Sequence, residues 1–203
     1  MLKLSQELFN PEDPDLNREG RDLSAADAIE GVVAATRDLE TYFNAVTDEM
    51  RRNSQDNINS LIANATIDGE FLTPAQRLGY YTIAATAGHD TTSNTTAGAF
   101  WALAENPDIF NKLKENPELL PGFIDESIRW VTPVKHFMRI AADDAEIRGQ
   151  NIKKGDWIML SYHSANQDED IFENPLKFDI SRKIGQHAAF GYGPHVCLGQ
   201  HLA

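Results

Sequence analysis

The chain has 203 residues, 41% hydrophobic and 24% charged, with a formal net charge of −13. This is the composition of an ordinary globular protein rather than a disordered or fibrous one, and the acidic balance argues against nucleic acid or an anionic membrane as partner. No run approaches the roughly 20 apolar residues that cross a bilayer, Met1 to Pro11 lacks the form of a secretory signal, and one cysteine allows no internal disulfide, so a cytoplasmic setting is expected.

Residues 1–22, rich in Pro, Asp, Glu and Asn, are expected to be irregular. From Ser24 to about Arg52, Ile29, Val32, Val33, Leu39, Tyr42, Phe43, Val46 and Met50 recur at helical spacing, which predicts a long amphipathic helix. A shorter helix follows over Asn57–Ala65, then an Asp68-Gly69 turn. Thr73, Pro74 and Gln76 form a helix start with a capping box, and the pattern from there to Glu105 predicts one long helix, apolar nearly all round from Tyr80 to Ala87 and therefore buried. Its centre, Ala-Gly-His-Asp-Thr-Thr at 87–92, is a poor helical choice, which points to a functional reason.

Asn106-Pro107 breaks the chain before a short helix, and another helix over about Pro117–Trp130 carries Glu126 and Arg129. Beyond Pro133 the pattern changes: Phe137–Ala141, Glu146–Ile152 and Trp157–Ser161 read as short strands joined by Gly turns. Asn166–His187 is turn-rich and aperiodic, and Leu198–Ala203 reads as the opening of a helix.

The lone cysteine lies in Phe190-Gly191-Tyr192-Gly193-Pro194-His195-Val196-Cys197-Leu198-Gly199. A lone Cys is by default a small buried hydrophobe. Here Gly191 and Gly193 allow tight turns and the close approach of a flat ligand, and Cys197 precedes a helix start whose free N–H groups attract negative charge. A Cys–His hydrolase with His195 as base is the rival, lacking an orienting third group. A zinc site lacks further ligands at metal spacing, and the glycines do not match G-x-G-x-x-G.

Phe-Gly-x-Gly-x-His-x-Cys-x-Gly, six fixed positions in ten, resembles the haem-binding loop of the cytochrome P-450 family. Two further motifs are similar to that family's and stand in its order: Glu126-x-x-Arg129, and Ala-Gly-His-Asp-Thr-Thr, like its oxygen-activation motif. The likeness extends over essentially the whole chain and is nearest to bacterial members that hydroxylate α-terpineol, above all in Ala85–Thr92, Thr132–Ala141, Arg148–Ala165 and Cys197–Ala203.

The resemblance implies a mainly α fold with small β-sheets, a partial cytochrome P-450 fold of long central helix, Glu-x-x-Arg helix, short strands, irregular meander and cysteine loop. It implies one partial domain over residues 1–203, the C-terminal half of a longer protein truncated at both ends, which alone would bind haem poorly and turn over nothing. The cofactor implied is haem b (iron protoporphyrin IX), with Cys197 as axial iron ligand and His195, Arg139, Phe190, Gly191 and Gly199 around it. Asp90 and Thr91 would relay protons; Glu126, Arg129 and Arg182 would form a structural charge cluster; Ile83, Ala87, Val134 and Phe137 would touch substrate.

The implied reaction is O2-dependent hydroxylation of a small apolar substrate, a terpenoid such as α-terpineol. Electrons would come from a 2Fe-2S ferredoxin with its reductase, since the sequence has no flavin or iron–sulfur motif. A peroxide-driven haem-thiolate peroxygenase, which would not need the Asp90–Thr91 relay, and a non-catalytic haem-binding or sensor module are the alternatives.

Overall fold

The computed structural model describes residues 2–202; Met1 and Ala203, where the expected last helix ends, lie outside the described residues. The fold is mainly α with small two-stranded sheets, and it divides into two compact units, Met1–His89 and Asp90–Ala203.

The first unit holds α1 (Leu2–Phe9), α2 (Ala25–Arg52), α3 (Ile58–Asn64), the hairpin β1 (Thr66–Ile67) and β2 (Glu70–Phe71), and α4 (Pro74–Thr86). Side-chain caps fix the starts of α2, α3 and α4. Ser24 accepts the Asp27 N–H and Asn57 the Ser60 N–H. Thr73 and Gln76 cap each other's backbone reciprocally. The core is Leu39, Phe43, Ile62 and Tyr81, with Phe43 and Tyr81 stacked at 4.6 Å between ring centres. Contrary to the expected irregular start, α1 is helical because Leu4 and Leu8, one turn apart, pack against this core, while buried Glu7 takes Arg18 at 2.7 Å. The Asp68-Gly69 turn carries the two-residue strands of β1 and β2, with φ of 54° and 85° at its corner.

The long helix expected from Thr73 to Glu105 is two helices. α4 ends at Thr86, Ala87–His89 form a turn, and α5 (Asp90–Glu105) begins afresh. Gly88 leaves the turn without a β-carbon, and Asp90 starts the new helix where its negative charge complements the N-terminal dipole. Nor is α4 buried all round: Tyr81 is 1% exposed and Ile83 69%. Only one face of α4 has apolar neighbours, so Tyr80, Ile83 and Ala87 lie on the surface.

The second unit holds α5, α6 (Pro107–Glu115), α7 (Leu120–Val131), β3 (His136–Ile140), β4 (Ala145–Ile147), β5 (Gln150–Ile152), β6 (Trp157–Ser161) and the single turn α8 (Tyr162–Ala165). α5 packs on α7 where Gly98 meets Val131 so closely that a β-carbon would overlap it, and Trp101 meets Trp130 edge to face. β3 and β6 pair antiparallel from His136↔Ser161 to Ile140↔Trp157. The strand expected over Glu146–Ile152 is instead the hairpin β4–β5, because Arg148 and Gly149 take left-handed φ of 49° and 78° and reverse the chain. Leu198–His201 form a single 3-10 turn.

Candidate functional site

Within the second unit, α7 supplies the anchor. Glu126 and Arg129 share one face at i,i+3 spacing, and their side chains are 1% and 2% exposed. Arg129 donates to Glu126 from Nε at 2.7 Å and from a terminal nitrogen at 2.8 Å, and to the carbonyls of Asn166 and Pro175 at 2.6 and 2.9 Å. Glu126 also accepts the Asp179 N–H at 2.9 Å and Arg182 Nε at 3.2 Å. Arg182 in turn donates to the carbonyls of Glu173, Asn174 and Lys177. Buried charges persist only when paired and fully hydrogen-bonded. Here the pairing draws the aperiodic stretch after Asn166 onto one helix.

The cysteine loop hangs from the same frame. Asn166, fully buried, donates to the Thr132 hydroxyl and accepts the Ala188 N–H at 2.6 Å. The Cys197 N–H donates to the Phe190 carbonyl at 2.9 Å, closing the loop at its neck. Gly191 (φ 70°) and Gly193 (φ 73°) take backbone conformations that disfavour other residues, and a β-carbon on Gly191 would lie 3.3 Å from the Tyr162 hydroxyl. The Tyr162 ring meets Phe137 of β3 edge to face at 6.0 Å, so β3 and the loop share one neighbour. The Cys197 side chain is exposed, and Leu198 and Leu202 after it are 97% and 93% exposed.

Each predicted residue has a definite place. Cys197, Phe190, Gly191 and Gly199 are brought together, since a β-carbon on Gly199 would touch the Cys197 sulfur at 3.7 Å. His195 lies exposed in the short Gly193–His195 turn. Arg139 is exposed on β3, its guanidinium over the Phe137 ring and donating to the Met138 carbonyl. Val134 is half-buried. Asp90 and Thr91 open α5 half-buried, and the Thr91 carbonyl accepts the Thr95 hydroxyl. Ile83, on α4, and Ala87, in the turn after it, belong to the first unit and are exposed.

Tyr162, Asn166, Asp125 and His187 did not stand out in the sequence. Their one signal is position, as large polar residues just before or within the aperiodic stretch, or beside Glu126. Burial would raise the Asp125 carboxyl, but the His187 ring and the Gly185 N–H outweigh it and hold Asp125 below the usual carboxylate range.

Among the described residues no three His, Cys, Asp or Glu side chains converge as a metal cage. An exposed sulfur on a glycine loop beside exposed Leu198 and Leu202 suits a flat, largely apolar metal group. The residues present fit haem.

The sequence model of the Cytochrome P450 family matches residues 27–203. Cytochrome P450-terp of a Pseudomonas species is 46% identical over 209 residues, covering 100% of this chain and 48% of that protein. Linalool 8-monooxygenase of Pseudomonas putida is 38% identical, over 77% of this chain and 38% of its own. The crystal structure of CYP108D1 from Novosphingobium aromaticivorans superposes with a TM-score of 0.85 at 46% identity, covering 99% of this chain and 45% of that one. The chain thus spans about half the length of these relatives or less, and with the family model matching most of it, the chain belongs to the cytochrome P450 family.

Proposed function

We propose that the protein is a haem-thiolate monooxygenase, with Cys197 as the axial ligand of haem b. The observation that carries this is the loop itself, an exposed sulfur held on two left-handed glycines and tied by its own N–H to Phe190. When bound, a thiolate-ligated haem supplies oxidation of an unactivated C–H bond by O2.

The chain's own residues do the rest. The Glu126–Arg129–Arg182 cluster fixes the backbone that presents Cys197. Phe190 shields one side of the sulfur, and Gly191 and Gly199 leave room for a flat ring. Arg139 offers a cation, and His195 a hydrogen bond, to the haem propionates. Asp90, at the start of α5, would take protons from water and pass them to the Thr91 hydroxyl. Val134 and Phe137 offer apolar contact to substrate.

The substrate class proposed is a small terpenoid alcohol such as α-terpineol, supported by the likeness to Cytochrome P450-terp and to a relative named for linalool. Electrons come from a 2Fe-2S ferredoxin and its reductase in the cytoplasm. No helix among the described residues is long and apolar enough to cross a membrane. The chain is one partial domain of a longer protein, whose remainder covers the apolar residues left bare here, such as Ile83 and Leu198.

The test is the difference spectrum of the ferrous haem-loaded protein with carbon monoxide, beside Cys197→Ser. A strongly red-shifted band, lost in the variant, is expected; the same band in both would overturn the assignment. Titration with terpenoid alcohols and with a steroid, read as a spin-state shift, ranks the substrates. Turnover that needs added peroxide and ignores reduced ferredoxin would select the peroxygenase alternative.

A further inference from the structure

One buried titratable side chain plays no part in the scheme above. His187 is 7% exposed and lies three residues before Phe190. Its Nδ1 accepts the Ala189 N–H at 3.2 Å. The other ring nitrogen, Nε2, lies 3.3 Å from Asp125 Oδ1, close to the carboxylate but not aligned as a hydrogen bond. The same carboxylate accepts the Gly185 N–H through both oxygens, at 3.1 and 3.0 Å. The His187 ring packs on Phe190 with centres 5.5 Å apart.

The placement has a consequence for the sulfur. Between His187 and Phe190 stand only two alanines. The Ala188 N–H is committed to Asn166, and the Ala189 N–H to His187 itself. The Phe190 carbonyl is the acceptor for the Cys197 N–H. A line of contacts therefore runs from α7 through Asp125, His187 and Phe190 to the ligand's own backbone.

We propose that His187 is a positioning residue for the thiolate, a buried imidazole that joins Asp125 of α7 to the backbone entering the cysteine loop and so fixes where Phe190 meets the Cys197 N–H. The proposal rests on the haem-thiolate reading. Lost without His187 is the register of the loop neck, which frees Cys197 to leave the metal or take up a proton.

The experiment uses the whole haem-loaded protein, ferrous and under carbon monoxide, held well below its unfolding transition. What is timed is conversion of the thiolate-type band to the less shifted band of a neutral proximal ligand. A merely structural residue would alter the unfolding temperature and leave this rate alone. His187→Ala is expected to convert roughly tenfold faster, the factor that one lost buried hydrogen bond corresponds to. His187→Gln, which restores a donor toward Asp125, is expected to return most of the way. Conversion of the Ala variant at the native rate would overturn the proposal, as would equal rates for Ala and Gln, which would assign the effect to lost volume. Should the Ala variant fail to load haem, Asp125→Asn decides: conversion several-fold faster than native supports the role, and an unchanged rate removes it. A native protein that never shows the thiolate-type band would bring down the haem-thiolate reading itself, and the role of His187 with it.

Discussion

Replacing Arg129 by Leu removes the centre of the α7 cluster. Two donor bonds to Glu126 vanish, as do those to the carbonyls of Asn166 and Pro175. Glu126, whose side chain is 1% exposed, keeps only Arg182 and the Asp179 N–H. Stranding one member of a buried pair costs about 3–5 kcal/mol, and each orphaned carbonyl about 1–3 kcal/mol. These losses overlap within one network, so they do not add, and a loss of at least about 3 kcal/mol is expected on the buried-pair figure alone. Arg182→Leu is the control. Its side chain is 14% exposed and gives Glu126 one contact; its other three bonds, to the carbonyls of Glu173, Asn174 and Lys177, are exposed, so water replaces much of what is lost and about 1–2 kcal/mol is expected. Urea unfolding of the haem-loaded protein, followed by tryptophan fluorescence because Trp130 lies on the same helix, reads both midpoints at comparable slopes. A cost below about 1 kcal/mol for Arg129→Leu, the level of an ordinary exposed pair, would refute the claim that the cluster holds the meander. So would a larger loss for Arg182→Leu.

Gly122→Ala on α7 would bring a β-carbon to 2.5 Å from the Ile180 carbonyl oxygen. Backbone cannot yield as a side-chain tip does, so a loss of about 1–3 kcal/mol is expected in the same urea assay. Asp125 is held below its usual carboxylate range. Its stabilising effect is therefore complete above the unfolded-state pKa and lost as pH falls through the folded value. Melting temperature measured from neutral pH to about pH 3 should fall less steeply for Asp125→Asn than for the native protein; parallel curves would contradict this. Thr91→Ala should leave electron consumption largely intact while product per electron falls, measured as product formed against NAD(P)H used; unchanged coupling would remove Thr91 from the relay.

Local chemistry was legible where a residue's neighbours in sequence are its neighbours in space. Thr73 and Gln76 cap the helix they open, and Asp68-Gly69 turns the chain. Arg148-Gly149, expected within a strand, turns it as well, and was not legible because a two-residue reversal interrupts the alternation only briefly. The glycine loop likewise announces itself within ten residues. Burial was less legible. Tyr80 to Ala87 is apolar on every side, a pattern that describes what a helix tolerates and not what lies against it. The split at Ala87–His89 was visible as poor helical residues without revealing that the ladder stops there. Glu126 and Arg129 look in sequence like any surface pair at i,i+3 spacing; their burial comes from Asn166, Pro175 and Asp179, dozens of residues away. Asn166 acts through long-range bonds with Arg129, Thr132 and Ala188, and His187 through its contact with Asp125, none of which any periodicity encodes.

The partners that converge on α7 lie far along the chain: Arg129 reaches across 37 and 46 residues, and Glu126 across 53 and 56. Closing loops of that length is entropically costly before any contact rewards it. The helix, whose own bonds are local, can form early, whereas the segment carrying Cys197 can take shape only after the intervening chain has condensed onto it. On the proposed haem-thiolate reading, the sulfur would then meet its metal group only on a frame already built.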